Sequence, residues 1–220
     1  MTIKENLLRI KAALPDYVTL VAVSKTKPLA DLMEAYEAGQ RIFGENKIQE
    51  MSEKWEQMPK DIQWHMIGHV QTNKVKYMAS FVTLIHGVDS LKLLEEINKQ
   101  AIRNNRIIAC LLQIHIAEED TKFGLNEHEL KEILDSDTFK NLQNIKVIGL
   151  MGMATFTENQ NQIKKEFQYL KAIFDKAKQK VASNCQINTL SMGMSGDYPL
   201  AIECGSTMVR IGSSIFGGRS

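Results

Sequence analysis

The sequence predicts a (β/α)₈ barrel of the TIM type, α/β in class, on three observations. Eight short apolar segments alternate with amphipathic ones, so that each strand but the last is followed by a helix. Strict alternation implies parallel strands with right-handed crossovers, and eight strands within 220 residues favour a sheet closed on itself. No G-x-G-x-x-G follows the first strand, so an open doubly wound sheet, the alternative, fits less well. A single domain over residues 1–220 is expected, because no Gly/Ser/Pro-rich linker or low-complexity segment divides the chain.

Met1 to Leu14 sets Lys4, Glu5, Arg9 and Lys11 among Ile3, Leu7, Leu8 and Ile10, which predicts an extra N-terminal amphipathic helix rather than a signal peptide. The first strand is the apolar run Val18 to Val23, followed by a helix over Leu29 to Ala38. Arg41 to Phe43 precedes a helix over Lys47 to Gln57, and Gln63 to Ile67 one over Gln71 to Met78. Phe81 to His86 pairs with the helical pattern Leu91 to Arg103, and Ile107 to Ile114 with Glu127 to Leu134. Ile145 to Leu150 leads into a long helix over Gln160 to Val181, and Ile187 to Leu190 into Tyr198 to Glu203. Thr207 to Ile211 is the eighth strand. The stretch Thr121-Lys122-Phe123-Gly124-Leu125 reads as a rim loop opening the helix after it.

Composition excludes several functions. The 27 basic residues nearly cancel the 26 acidic ones, so no global field draws the protein to nucleic acid. No apolar run approaches membrane-spanning length. Cys110, Cys185 and Cys204 are odd in number and lack C-x-x-C spacing, which speaks against a disulfide framework and a zinc site. With no targeting segment in view, cytoplasmic residence is the expectation.

The chemistry centres on Lys25, at the end of the first apolar run. A lysine just past a buried strand sits where desolvation lowers its pKa and leaves the amine nucleophilic toward an aldehyde. An arbitrary strand-end lysine is more often a solvated charge. Two loops change that balance. Ser191-Met192-Gly193-Met194-Ser195-Gly196-Asp197 follows the seventh strand, and Gly212-Ser213-Ser214 follows the eighth, where barrels of this class commonly bind phosphate. Both are small turns with free backbone N–H groups suited to a dianion, although Ser195 and Asp197 also read as a helix N-cap. Arg210 lies just before the second turn. Pointing outward it would pair with an acid such as Glu203; pointing inward it would donate to a ring nitrogen near the mouth. Asn46 reads equally as a donor to a ligand oxygen and as a helix N-cap. His65 and His69 share i, i+4 spacing, but Gly68 interrupts any helix that would aim both at a metal. Methionines in Gly149-Leu150-Met151-Gly152-Met153-Ala154-Thr155 read as core, with packing against a flat ring as the functional alternative.

Five motifs in fixed order, Val21-Ala22-Val23-Ser24-Lys25, Phe43-Gly44-Glu45-Asn46, Trp64-His65-Met66-Ile67-Gly68-His69, Leu190-Ser191-Met192-Gly193-Met194-Ser195 and Val209-Arg210-Ile211-Gly212, resemble the pyridoxal phosphate homeostasis proteins over essentially the whole chain. These are single-domain relatives of the alanine racemase N-terminal barrel. The resemblance implies pyridoxal 5′-phosphate (PLP) held as a Schiff base on Lys25, with Ser191, Gly212 and Ser213 on the phosphate and Arg210 facing the pyridine nitrogen. Asn46 and the Met192-Gly193 backbone are further cofactor contacts by the same match. It also implies a role in intracellular PLP homeostasis, with PLP-dependent apoenzymes as recipients of the cofactor, and a monomer.

The alternative is a PLP-dependent racemase. Racemisation needs an acid or base on each face of the substrate Cα, typically a lysine and a tyrosine. Alanine racemases take the tyrosine from a second domain, for which this chain has no room. Of Tyr17, Tyr36, Tyr77, Tyr169 and Tyr198, only Tyr198 lies near a candidate loop, so a carrier is the expectation.

Overall fold

The computed structural model describes residues 2–118 and 123–218. Among these residues nine strands form one sheet: β1 (Thr19–Val23), β2 (Ile42–Glu45), β3 (Gln63–Met66), β4 (Leu84–Val88), β5 (Ile108–Gln113), β6 (Ile145–Met151), β7 (Val181–Ala182), β8 (Cys185–Ser191) and β9 (Met208–Ile211). Eight of them are parallel and close into a ring, as the alternation predicts. The seam is β1 against β9, with Thr19 opposite Met208 and Val21 opposite Arg210, and the rest of the circuit is completed by β6 against β8 and β8 against β9. The two-residue β7 pairs antiparallel with β8 outside the ring.

The helices are α1 (Ile3–Ala13), α2 (Leu29–Glu37), α3 (Ile48–Gln57), α4 (Leu91–Arg103), α5 (Glu127–Asp135), α6 (Asp137–Lys140), α7 (Gln160–Ala177), α8 (Tyr198–Glu203) and α9 (Ser213–Phe216). Their starts follow from local chemistry. Thr2 and Glu5 form a capping box on α1, Asn126 and Glu129 another on α5, and Ser90 accepts the Leu93 N–H at the head of α4. The helix predicted at the N-terminus buries Leu7 and Ile10 and packs against α2 and α9; Asn6 donates to the Ile215 carbonyl.

The core has two layers, as alternate residues of a strand face opposite sides of the sheet. The larger lies between sheet and helices and includes Phe43, Trp64, Phe167 and Leu170. The smaller fills the barrel, with Val21, Leu84, Leu111, Met151 and Met208 at its centre. The interior is thereby filled rather than open as a pore.

Several expected boundaries move. The segment Gln71 to Met78 is a 3₁₀ helix over Thr72–Tyr77, because Val75 is its one buried residue and a lone apolar position gives an α-helix no face to bury. The fourth strand starts at Leu84 rather than Phe81, since the Phe81 and Val82 N–H groups turn back to the Met78 carbonyl. The long helix α7 stops at Ala177 instead of Val181: Lys178-Gln179-Lys180 is polar, and exposed Val181 turns into the β7–β8 hairpin. Of the predicted rim loop, Thr121 and Lys122 lie outside the described residues, as does Met1 of the first helix; Leu125 bridges to Ile114.

Gly149 marks the tightest point of the ring. A Cβ there would lie 1.8 Å from the Thr189 carbonyl oxygen, which is backbone and has no rotamer to yield. Gly149→Ala is therefore expected to cost about 3 kcal/mol and to lower the thermal midpoint by about 6–12 °C in a melt followed by circular dichroism. An unchanged midpoint would show that β6 and β8 part more easily than their register implies.

Candidate functional site

Arg210 is inside the barrel. It stands opposite Val21 and two residues from Met208, both members of the interior layer, so its side chain shares their face. The guanidinium is buried, and its donors are met by Ser191 and Gly152: Nη1 to the Ser191 carbonyl at 2.9 Å and to its hydroxyl at 2.5 Å, Nη2 to the Gly152 carbonyl at 3.1 Å. Burial pulls its pKa down to about 10, with Asp197 opposing, so it stays cationic at neutral pH.

Behind this group runs a line of neutral polar side chains. Ser191 Oγ lies 3.1 Å from His86 Nδ1, and His86 Nε2 lies 3.0 Å from His65 Nδ1. Burial pushes His65 down to about 3 and His86 well below the usual histidine value, His86 helped by His65 and Arg210. Both rings are therefore uncharged at pH 7, which suits the guanidinium beside His86.

Lys25 follows β1 in a tight turn and is half-buried. Thr26 beside it adopts φ 63, a conformation that a β-branched residue holds only where its surroundings impose it. Ser24 and Thr26 are tied to the β2–α3 unit: Ser24 Oγ donates to Glu45 Oε1 at 2.6 Å, and the Thr26 N–H donates to Glu50 Oε1 at 2.6 Å.

The two small turns meet at the mouth. Ser195 Oγ accepts the Gly212 N–H at 3.2 Å and the Ser214 N–H at 3.5 Å, so one hydroxyl and two amides of the last turn share a point. Gly212 presses against the end of β1, where an added Cβ would come within 3.1 Å of the Val23 carbonyl oxygen. That contact brings the last turn to within two residues of Lys25. Gly193 has φ +98, and its carbonyl accepts the Arg210 N–H at 2.9 Å. The Met192 side chain packs in the outer core, its N–H donates to the Met208 carbonyl and its carbonyl accepts from Ser206 Oγ.

Other expectations resolve as follows. Helix α3 is capped by Lys47, not Asn46, which lines a groove of about 520 Å³ with Gln71, Lys74 and Tyr77. Asp197 caps α8 without a side-chain hydrogen bond to it, and its carboxylate accepts the Met194 N–H. His69 stacks on Phe123 and pairs with Asp89 at 3.4 Å, far from the role of His65, and no metal-holding group occurs among the described residues. The three cysteines are free and buried. His86 and Lys54 stand in no local motif, and no spacing in the sequence joins them to Glu45 or Gly152.

A parallel barrel with a strand-end lysine, an interior arginine and a hydroxyl-and-amide turn defines a class of cofactor-binding barrels. A family model described as alanine racemase, N-terminal domain, matches residues 1–220. The chain is 39% identical over 201 residues to the pyridoxal phosphate homeostasis protein of Aquifex aeolicus, covering 91% of this chain and 86% of that one. It is 38% identical over 232 residues to the same-named protein of Pasteurella multocida, covering 100% and 98%. PipY of Synechococcus elongatus, solved with PLP bound, matches with a TM-score of 0.89 at 34% identity, covering 98% of this chain and 100% of that one. An alanine racemase of Clostridium difficile shares the fold at a TM-score of 0.79 and 16% identity, with 99% of this chain and 56% of that one covered. The chain belongs to the pyridoxal phosphate homeostasis proteins of the alanine racemase N-terminal family.

The depressed histidines set a pH dependence. Unfolded histidines take up protons near pH 6.5, whereas buried His65 refuses them down to about pH 3 and His86 is held well below its ordinary value, so stability is full above pH 6.5 and lost as pH falls. Urea unfolding is expected to show a loss of up to about 1.4 kcal/mol per pH unit for each histidine below that point. His65→Asn/His86→Gln should flatten the slope between pH 7 and 5; an equal slope in both proteins would place the effect elsewhere.

Proposed function

We propose that this protein binds pyridoxal 5′-phosphate at the barrel mouth, on Lys25, and serves as a carrier and regulator in PLP homeostasis without robust amino-acid turnover. The observation that carries the reading is the contact of Gly212 with Val23, which puts the Ser195 hydroxyl and the Gly212 and Ser214 amides beside the strand end bearing Lys25. The names of its relatives and the PLP-bound neighbour support the same reading.

The residues present fit the group. A lysine amine suits its aldehyde, and a glycine turn with converging amides suits a phosphate dianion. When bound, PLP supplies a reactive aldehyde. Lys25 supplies the amine; as the carbon–nitrogen double bond forms, the amine's two hydrogens and the aldehyde oxygen leave as water. Gly212, Ser213 and Ser214 hold the phosphate, and Ser195 joins them. Ser191, expected on the phosphate, acts instead through Arg210, because its hydroxyl is buried between that guanidinium and His86. Arg210 faces the pyridine nitrogen as a permanent cation and keeps it unprotonated, which weakens the ring as an electron sink and restrains chemistry on amino acids. Asn46 and the Met192-Gly193 backbone complete the site. The protein works in the cytoplasm as a monomeric barrel of residues 1–220 and passes the cofactor to PLP-dependent apoenzymes.

Against the racemase alternative, no tyrosine belongs to the interior layer of the barrel among the described residues. Tyr17, Tyr77 and Tyr169 are exposed, Tyr36 donates to Asp61 on the outer surface, and Tyr198 packs against the outer core. Lys25→Ala is expected to abolish the visible imine band and the borohydride-reducible label while leaving the circular dichroism spectrum intact. A label retained at Lys27 would overturn the assignment. Arg210→Glu is expected to change the cofactor spectrum by favouring a protonated ring nitrogen; an unchanged spectrum would remove Arg210 from the ring.

A further inference from the structure

Resting on the reading that Lys25 carries the cofactor, we infer that the buried Glu45–Lys54 pair, with Glu50, is a clamp that positions the Lys25 backbone for reaction with an aldehyde. Glu45 ends β2, and Glu50 and Lys54 lie one turn apart on α3. Lys54 Nζ spends three donors at once: on the Ser24 carbonyl at 2.8 Å, Glu45 Oε1 at 2.8 Å and Glu50 Oε1 at 2.7 Å. Ser24 Oγ and the Thr26 N–H complete the set through Glu45 and Glu50. Every one of these bonds to β1 or its turn falls on residue 24 or 26, the two neighbours of Lys25.

Stability alone does not account for the arrangement. The Glu45 side chain is fully buried, Lys54 nearly so, and an apolar pair between β2 and α3 would hold the helix as well or better. Burial pushes the Glu45 carboxyl up, Lys54 pulls against it, and Glu45 Oε2 has no hydrogen-bond partner. What the charges provide is direction. They fix the carbonyl and hydroxyl of Ser24 on the outer side of the sheet and hold Thr26 in its left-handed conformation, which costs a non-glycine residue about 1–2 kcal/mol. With both flanks fixed, the Lys25 Cα–Cβ direction is set before any ligand arrives, and amine placement is what bond formation requires.

Lys54→Met strands the Glu45 carboxylate and is the variant at risk of not folding, so Glu50 carries the test; its side chain is 24% exposed. E50A removes the acceptor for Thr26, whereas E50Q retains an oxygen there. Two probes separate positioning from general loosening. Pyridoxal 5′-phosphate forms a reducible bond to lysine; pyridoxamine 5′-phosphate presents the same ring and phosphate but carries an amine and forms none. In E50A, half-saturation of the imine by pyridoxal 5′-phosphate is expected to weaken about tenfold, with pyridoxamine 5′-phosphate affinity unchanged and E50Q close to wild type. In the unloaded protein, amide hydrogen exchange at Thr26 should speed in E50A. Equal imine formation in E50A and wild type, or equal weakening of both probes, would overturn the clamp. A wild-type protein without reducible label on Lys25 would overturn the functional reading, and the clamp with it.

Discussion

A guanidinium buried in a closed barrel constrains everything around it. Moving a charge from water to a protein interior costs several kcal/mol unless its donors are met, and Arg210 meets them with two carbonyls and a hydroxyl drawn from β8 and the end of β6. Burial keeps His86 and His65 neutral, with the guanidinium adding its repulsion at His86, and the two rings hydrogen-bond to each other. Gly152, whose carbonyl takes Nη2, packs so closely on Leu170 that a Cβ would come within 2.6 Å of it. The apolar layer of Val21, Leu84, Leu111, Met151 and Met208 then lies beneath this polar one and seals it from the far end.

The end of β1 is held from two sides by unrelated chemistry. On the outer face, charges from α3 reach Ser24 and Thr26; at the mouth, the backbone of Gly212 abuts Val23. Neither contact depends on the other, yet both serve the same few residues. A strand end in most barrels is free to vary with its loop. Here it is held at Val23, Ser24 and Thr26 by contacts from the last turn, from β2 and from α3.

Much of the fold was legible because its determinants are local. Short apolar runs place the strands, and amphipathic stretches such as Met1 to Leu14 place the helices. The site was legible where a local motif coincided with a strand end, as at Lys25 and Gly212. It was not legible where pairing decides. Whether Arg210 faces in or out follows from its register with Val21, which no single strand reveals. His65, His86 and Ser191 come from three strands, and it is Ser195, not Ser191, whose hydroxyl meets the amides of the last turn. The 3₁₀ segment Thr72–Tyr77 was misread because its amphipathic pattern exceeds what the fold buries.

The seam joining Thr19 to Met208 has a consequence for biosynthesis. Strand β1 leaves the ribosome early and waits for its ring partner until nearly all of the chain has been made; closure across so long a loop is entropically slow. The turn that meets the Val23 carbonyl is carried by that same late segment. A nascent chain therefore displays the end of β1 before the Gly212 turn that abuts it exists, and the mouth of the barrel takes its shape only when β9 closes the ring.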